Sequence, residues 1–525
     1  MRHVDNDMTV DNDMTAGGDM TAGIDGADDD PCLLPWAPDD GDDKFHEECG
    51  VFGIFGAADA AAHTALGLHA LQHRGQEASG IVACDGGRFN MHRALGHVGA
   101  NFSTPDVIQR LRGAAAIGHN RYSTSGETML RNVQPLFADL AFGGIALAHN
   151  GNLTNALALR QGLVDRGAIF QSTMDTEVVV HLIATSQRKT LVERLIDGLT
   201  KVEGAYAFVA LTDDALIGAR DPHGVRPLCI GRLWGTSGEA TILASETCAL
   251  DIIGAEYVRD VEPGEVVVIT EAGIASIKPF QPVQNRFCIF EYIYFARPDS
   301  WVDRKSVYEV RKAIGAELAR ESGVDADVIV PVPDSGVPAA LGYAEQADIQ
   351  FGLGIIRNHY VGRTFIEPTD QIRHLGVKLK HNANAAILAG KRVVLVDDSI
   401  VRGTTSMKIV EMVREAGAAE VHMRIASPPT THSCFYGVDT PERSKLLAAR
   451  HSVEDMRRLI RADSLSFVSL DGLYRAMGRT ERNPERPAYC DACFTGDYPV
   501  RLTDFDATDR TGPVRSISRL AADRG

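Results

Sequence analysis

The stretch that most restricts what this chain can fold into is KRVVLVDDSIVRGTTS, from Lys391 to Ser406. Its apolar run, Val393 to Val396, is of the kind buried on both faces in a parallel sheet. It ends in two adjacent carboxylates, Asp397 and Asp398. Arg402, Gly403, Thr404 and Thr405 follow at once, and then MKIVEMVREAG, which reads as a helix stopping at Gly417. A strand, a small-residue turn and a helix start present backbone N–H groups and hydroxyls to an anion, with the helix dipole favouring it. Phosphate therefore fits at the turn, and the paired carboxylates fit a sugar diol and a phosphate-bound Mg²⁺, which takes hard oxygen ligands. Two aspartates alone would read as a solvated strand end. The glycine-bearing, hydroxyl-rich turn directly after them decides for a ligand site.

The rest of the chain must be read around this unit. With 525 residues and 44% hydrophobic content there is room for two or more ordinary cores. A formal net charge of -17 excludes a binder of nucleic acid or of an anionic membrane surface, which needs a basic patch. No apolar run approaches the ~20 residues of a membrane span, and none resembles a secretory signal, so a cytoplasmic location is expected. Nine cysteines are too sparse for a disulfide scaffold and point to nucleophiles or metal ligands. Residues 1–48 are acidic and low in complexity, with VDNDMT written twice, and cannot bury enough apolar surface to order themselves. A folded domain begins at EECGVFGIFG.

Cys49 precedes the first strand of that domain and has two readings. A lone cysteine there is a small buried hydrophobe. If the first 48 residues are removed, it instead carries a free α-amino group of pKa about 8, able to serve as base for its own thiol. LQHRGQEASG (Leu71 to Gly80), GHNRYSTSG (Gly118 to Gly126), LAHNGNL (Leu147 to Leu153) and TMDTEV (Thr173 to Val178) together resemble the glutaminase domain of class II glutamine amidotransferases. The resemblance implies Cys49 as nucleophile and Asn150 and Gly151 as the oxyanion hole. It also implies Arg121 on the α-carboxylate of glutamine, for which a planar bidentate donor suits, and Asp175 on the α-ammonium. His73, Arg74 and Gly75 shape the pocket, with His73 read as a packed, hydrogen-bonded residue rather than a base. The segment from about 178 to 285 mixes a helix-like EVVVHLIATSQ with strand-rich stretches. The implied fold is an N-terminal nucleophile α/β/β/α sandwich over 49–285.

The Lys391–Ser406 string closely resembles the phosphoribosyl-pyrophosphate (PRPP) motif of type I phosphoribosyltransferases, which implies a doubly wound parallel sheet over 286–475. RFCIFEYIYFARPDS, Arg286 to Ser300, resembles the junction between the two domains in glutamine PRPP amidotransferases, so the likeness covers nearly all of the chain beyond residue 48. DVIVPVP leads into a turn at Asp334, Ser335 and Gly336, expected to hold pyrophosphate and its Mg²⁺; an N-cap role for Ser335 is compatible with that. Ser335, Asp397 and Asp398 are the Mg²⁺ candidates. Arg402, Gly403, Thr404 and Thr405 are assigned to PRPP, with Arg357, Tyr360 and Arg363 in IRNHYVGRTFIEP as a closing loop that neutralises diphosphate and excludes water. Lys378 and Lys380 read singly as surface residues; Lys378 and His381 depart from the family pattern VRxKLNAN.

Cys490 and Cys493 form a CxxC in the C-terminal segment 476–525, a spacing open to zinc, iron–sulfur or redox roles. The resemblance implies a structural [4Fe–4S] cluster on Cys288, Cys434, Cys490 and Cys493, in a branch that also carries a cleaved propeptide; Cys248 is the rival to Cys288. The whole reading is an enzyme that makes 5-phosphoribosylamine, glutamate and diphosphate from PRPP, glutamine and water at the committed step of purine synthesis. The resemblance further implies purine nucleotide inhibition and a homotetramer. Glucosamine-phosphate or asparagine synthesis would keep the glutaminase, but the latter needs an SGGxDS loop that the sequence lacks. A PRPP-sensing repressor would need a helix-turn-helix module and a basic balance.

Overall fold

The computed structural model describes residues 46–47, 49–122, 129–235, 238–358 and 381–505. Two antiparallel sheets build the first half. One has seven strands, in the order Glu256–Asp260, Cys229–Gly235, Gly238–Ala244, Cys49–Phe55, Ala115–Arg121, Ala78–Asp85, Arg88–Leu95. The other has six: Gly273–Ile277, Val266–Thr270, Leu216–Arg220, Gly204–Leu211, Gly143–Leu153, Leu136–Leu140.

The two-residue period of a strand explains why these sheets stack. Val51 and Ile117 of the first sheet form one cluster with Ala146, Ala148 and Val209 of the second. The alternate residues Phe52 and Ile54 pack outward under the helix Ala60–Ala70. Ile145, Leu147 and Phe208 pack outward under Thr176–Thr185 and Leu191–Leu199. The result is helix, sheet, sheet, helix. The strand Cys49–Phe55 is buried almost throughout because both its faces are covered, which hides the alternation in the sequence.

The second half carries a parallel four-stranded sheet in the order Val328–Pro331, Arg392–Asp397, Glu420–Ile425, Ser464–Phe467. Val307–Ser322 and Val337–Ala347 cover one face, with Val394 and Val396 beneath them. Thr404–Glu415 and Val453–Ile460 cover the other, over Val393 and Leu395. A two-faced apolar strand between helix layers is what the doubly wound reading requires. Between the halves, Glu291–Phe295 forms a short π-helix rather than a plain linker.

The C-terminal segment returns to the core. Phe287–Cys288 and Tyr489–Cys490 pair in parallel, and the Asp504 carboxylate accepts from Leu157 N and Ala158 N at 2.7 and 3.0 Å. All described residues belong to one compact unit, Asp43–Gly525.

Candidate active sites

The first site lies between the two antiparallel sheets. Cys49 opens its strand directly opposite Arg121 in the antiparallel register. By the two-residue period Cys49 shares the inter-sheet face with Val51, and Arg121 shares it with Ile117. Asn150, on the facing sheet, shares the opposing face with Ala146 and Ala148. Cys49 is 5% exposed and Asn150 not at all. Both amide atoms of Asn150 are buried without a hydrogen-bond partner among the described residues. A buried amide with both its donor and its acceptor open is a position at which a ligand can be bound. Gly151 follows at φ +135°, a region that favours glycine, and a Cβ there would lie 2.1 Å from Ala205 O.

Arg121 donates to Asn132 O at 3.2 Å and touches Met174, which brings TMDTEV to the strand paired with Cys49–Phe55. Asp175 is already engaged: it caps the helix Thr176–Thr185, accepts from Thr176 N and Leu153 N at 2.8 and 3.0 Å, and lies 3.6 Å from His149 Nδ1. Burial pushes its carboxyl up, but His149 and these backbone N–H groups outweigh that and hold it below the usual range. His119 sends Nε2 to His149 O across the sheets at 3.1 Å. Burial, with Arg121 next to it, lowers its pKa to about 3. His119 is therefore neutral near neutral pH.

Sequence reasoning placed His73, Arg74 and Gly75 in loop roles and missed what Arg74 joins. Its guanidinium is fully buried, donating to Glu246 and, at 2.7 Å, to Glu291 of the π-helix. Glu291 also pairs with Arg226 at 3.1 Å. Glu246 takes His73 Nε2 at 2.6 Å, Ser300 Oγ at 2.7 Å and Arg297 N at 2.8 Å. Burial raises the Glu246 carboxyl, but Arg74 and His73 beside it win and hold it well below the carboxylate range. This paired cluster ties the loop under Arg121 to the entrance of the second half. Gly75 fits because a side chain there would collide with the Arg121 backbone at 2.7 Å. The one local signal was charge inside an apolar stretch, as in FCIFEYIYF, where Glu291 cannot be buried unpaired.

The second site sits at the carboxyl ends of Val328–Pro331 and Arg392–Asp397, which pair in parallel. Asp397 and Asp398 are 3% and 4% exposed. Asp398 Oδ1 accepts from Ser399 Oγ at 2.6 Å, whereas Oδ2 is buried with no hydrogen-bond partner. Ser335 Oγ is likewise buried and open. Ser335 is not the N-cap considered above: Gly336 caps the helix Val337–Ala347, which leaves the hydroxyl for another use. Gly403 caps Thr404–Glu415 at φ +83°, the conformation that turns the strand into the helix with Thr404 and Thr405 in its first turn. Buried Arg311 donates to Tyr292 O and Ala296 O at 2.8 and 2.7 Å. Burial lowers its pKa to about 10, with Asp398 pulling the other way.

Arg357 is half-exposed and paired with Asp334. It ends the strand Ile355–Arg357, which pairs antiparallel with His381–Ala383. Tyr360, Arg363, Lys378 and Lys380 lie outside the described residues.

Cys288, Cys434, Cys490 and Cys493 line a single cavity with Phe290 and Tyr436. None of the four is in a disulfide. Burial pushes the Cys288 thiol up to about 12 and those of Cys490 and Cys493 well above their usual value. Tyr436 N donates to Cys434 Sγ at 3.3 Å. Among the described residues no group of three or more His, Cys, Asp or Glu is arranged to hold a single metal ion. The four thiols share the lining of that cavity. Cys248 is elsewhere, beside Ala70 O and Glu246 at the start of Cys248–Asp251.

Comparison with known proteins decides the family. Residues 119–251 match the glutamine amidotransferase domain and residues 304–426 the phosphoribosyl transferase domain. Amidophosphoribosyltransferase of Rhizobium etli is 61% identical over 473 residues, 89% of this chain and 94% of that protein. The chain belongs to the amidophosphoribosyltransferase family. A chloroplastic member from Glycine max is 53% identical over 88% of the chain and 80% of its own length. Glutamine PRPP amidotransferase from Bacillus subtilis, solved as a complex with ADP and GMP, superimposes with a TM-score of 0.81 at 49% identity. That match covers 86% of this chain and 98% of the solved one. Arg121, Asn150, Gly151 and Asp175 fall within the first matched range and Ser335, Asp397, Asp398 and Arg402 to Thr405 within the second, whereas Cys49 precedes the first.

Proposed function

We propose that this chain is a glutamine-dependent pentosyltransferase that converts PRPP, glutamine and water into 5-phosphoribosylamine, glutamate and diphosphate, the first step of purine synthesis. One observation carries the reading: a buried cysteine set against an open amide and an arginine lies in the same compact unit as a strand end with two buried aspartates and a glycine-capped helix. Neither half alone needs the other.

In this reading residues 1–48 are a propeptide, and its removal gives Cys49 the α-amine that takes the thiol proton as sulfur attacks the glutamine amide carbon. Arg121 holds the α-carboxylate, and Asp175 offers its remaining acceptor capacity to the α-ammonium. Asn150 Nδ2 and the Gly151 backbone stabilise the oxyanion as ammonia leaves, and water then releases glutamate from the thioester. Ammonia passes within the protein to the second site. There the first turn after Gly403, with Arg402, Thr404 and Thr405, holds the 5-phosphate, and Asp397 and Asp398 hold the ribose hydroxyls. Arg357, Tyr360 and Arg363 serve the diphosphate. Ser335 and the two aspartates are the residues to hold Mg²⁺, which when bound supplies charge neutralisation for the leaving diphosphate; Mg²⁺ usually takes few protein ligands and several from substrate.

Cys288, Cys434, Cys490 and Cys493 fit a [4Fe–4S] cluster, which when bound supplies a cross-link from the C-terminal segment to the core and no redox step. The domain division is 49–285 for the glutaminase, 286–475 for the phosphoribosyltransferase and 476–525 for the tail. The ADP and GMP of the solved relative support purine nucleotide inhibition, and family resemblance supports a homotetramer. No described helix is long and apolar enough to cross a membrane; a cytoplasmic location is part of the proposal. The test is Cys49→Ser: glutamine-dependent product should disappear while ammonium salts still support turnover. Undiminished use of glutamine would overturn the reading.

A further inference from the structure

A loop of the second half touches the strand that carries Asn150. Gly437, at φ +101°, approaches Gly151 so closely that a Cβ on it would lie 2.8 Å from Gly151 Cα and 3.0 Å from its carbonyl carbon. On the other side Gly151 is limited by Ala205 O. The next residue is tied as well: Asn152 Nδ2 donates to Phe435 O at 2.9 Å. Two independent contacts therefore run from residues 435–437 to residues 151–152, and both flank the open amide of Asn150.

The loop that makes them is itself fixed. Cys434 N donates to Thr440 Oγ1 at 2.7 Å, and Tyr436 Oη donates to Val500 O at 2.7 Å. The Phe435 ring packs on Tyr498 and Phe505, with centroids 5.2 and 4.6 Å away. A strand end held only by its own sheet could tilt its peptide groups; here a rigid neighbour stops that.

We infer that Gly437 is a positioning residue for amide cleavage, setting the aim of the Asn150–Gly151 backbone through direct contact with Gly151, with Asn152 as its second tether. The inference rests on the oxyanion role given to Asn150 and Gly151 above. It makes the phosphoribosyltransferase half, through residues 435–437, a structural part of the glutaminase site. Since a donor misplaced by about 1 Å can cost a hundredfold in rate, the effect belongs in kcat and not in glutamine binding.

The test compares Gly437→Ala and Asn152→Ala with the parent enzyme, after intact mass shows that all start at the same residue. Five quantities are read: kcat and KM for glutamine, ammonium-dependent turnover, and the affinities for glutamate and for its γ-aldehyde, whose thiol adduct needs the oxyanion donors. For Gly437→Ala, glutamine kcat should fall about ten- to hundredfold with KM within about twofold. Aldehyde affinity should fall in step, while glutamate affinity and ammonium-dependent turnover hold. Asn152→Ala should shift the same quantities in the same directions by a smaller factor. The inference is overturned if kcat and aldehyde affinity are unchanged in both variants, or if they fall only together with ammonium-dependent turnover. If Gly437→Ala does not fold, Asn152→Ala decides alone. Asn150→Ala separates the two layers: if it leaves glutamine kcat intact, the oxyanion reading itself fails; if it removes kcat and the loop variants do not, only the inference fails.

Discussion

The two sites meet charge in opposite ways. Between the antiparallel sheets, the ionisable groups are held by fixed partners, Asp175 by backbone N–H groups and His119 Nε2 by a carbonyl, and the neutral Asn150 amide is left open. At the parallel strand ends, several groups wait together: Ser335 Oγ and Asp398 Oδ2 are both buried and open, with Arg357 half-exposed at the margin. The first arrangement suits a reaction in which charge appears only in the transition state, because fixed dipoles then need no reorganisation. The second suits a ligand that arrives already charged and brings its own cation. Preorganisation thus belongs to the site that makes ammonia, and ligand-completed electrostatics to the site that uses it.

The contrast breaks first at Asn150. Asn150→Ala should lower glutamine kcat about 10²–10³-fold with ammonium-dependent turnover retained, measured as two steady-state assays on one preparation. An equal loss in both assays would mean that the sites are not separate in the way described. Next is Asp398→Asn, which keeps shape and removes charge. Losing charge-assisted bonds of about 1.5–3 kcal/mol should weaken PRPP use about ten- to hundredfold, and equally with either nitrogen source. A loss confined to glutamine would reverse the assignment.

Glu291→Gln probes what joins the halves. Breaking one partner of a buried ion-pair cluster costs about 3–5 kcal/mol, so the denaturation midpoint should fall sharply, and any stimulation of glutamine hydrolysis by PRPP should fall with it. A variant as stable as the parent would show that Arg74 and Arg226 do not depend on that charge.

Least tied to turnover is the pH dependence of stability carried by His119, which is small near neutral pH and grows only on acidification. Its folded pKa of about 3 lies below the unfolded value of about 6.5, so the unfolded chain binds the extra proton between them. Its contribution is whole above pH ~6.5 and declines by roughly 1.4 kcal/mol per pH unit down to pH ~3. His119→Asn should flatten that part of the stability profile, read by urea denaturation at several pH values. An unchanged slope would place the proton elsewhere.

Much of this was legible in residues that follow local rules. The apolar run Val393–Val396, the aspartates after it and the Gly403 turn specify strand, ligand site and helix within one window, and the helix ends at Glu415, near the expected Gly417. The strand expected after Cys49 is present as Cys49–Phe55, but its layer order did not show, since a strand buried on both faces loses its alternation. The Arg74–Glu246–Glu291–Arg226 cluster joins residues over two hundred positions apart, and charge pairing at that separation leaves no period to read. Gly437 escaped for the same reason: the need for a missing side chain arises only when Gly151 is brought against it. Asp175 was read as a free acceptor when it also caps a helix, a role open to any Asp before an apolar run.

The central claim is that the thiol site and the sugar site serve one transfer of nitrogen. Glutamine labelled in its amide with the heavy nitrogen isotope, supplied with PRPP, Mg²⁺ and an equal concentration of unlabelled ammonium, tests this most directly. The account predicts 5-phosphoribosylamine carrying almost entirely the heavy isotope. Product diluted to the isotope ratio of the free ammonium pool would contradict it.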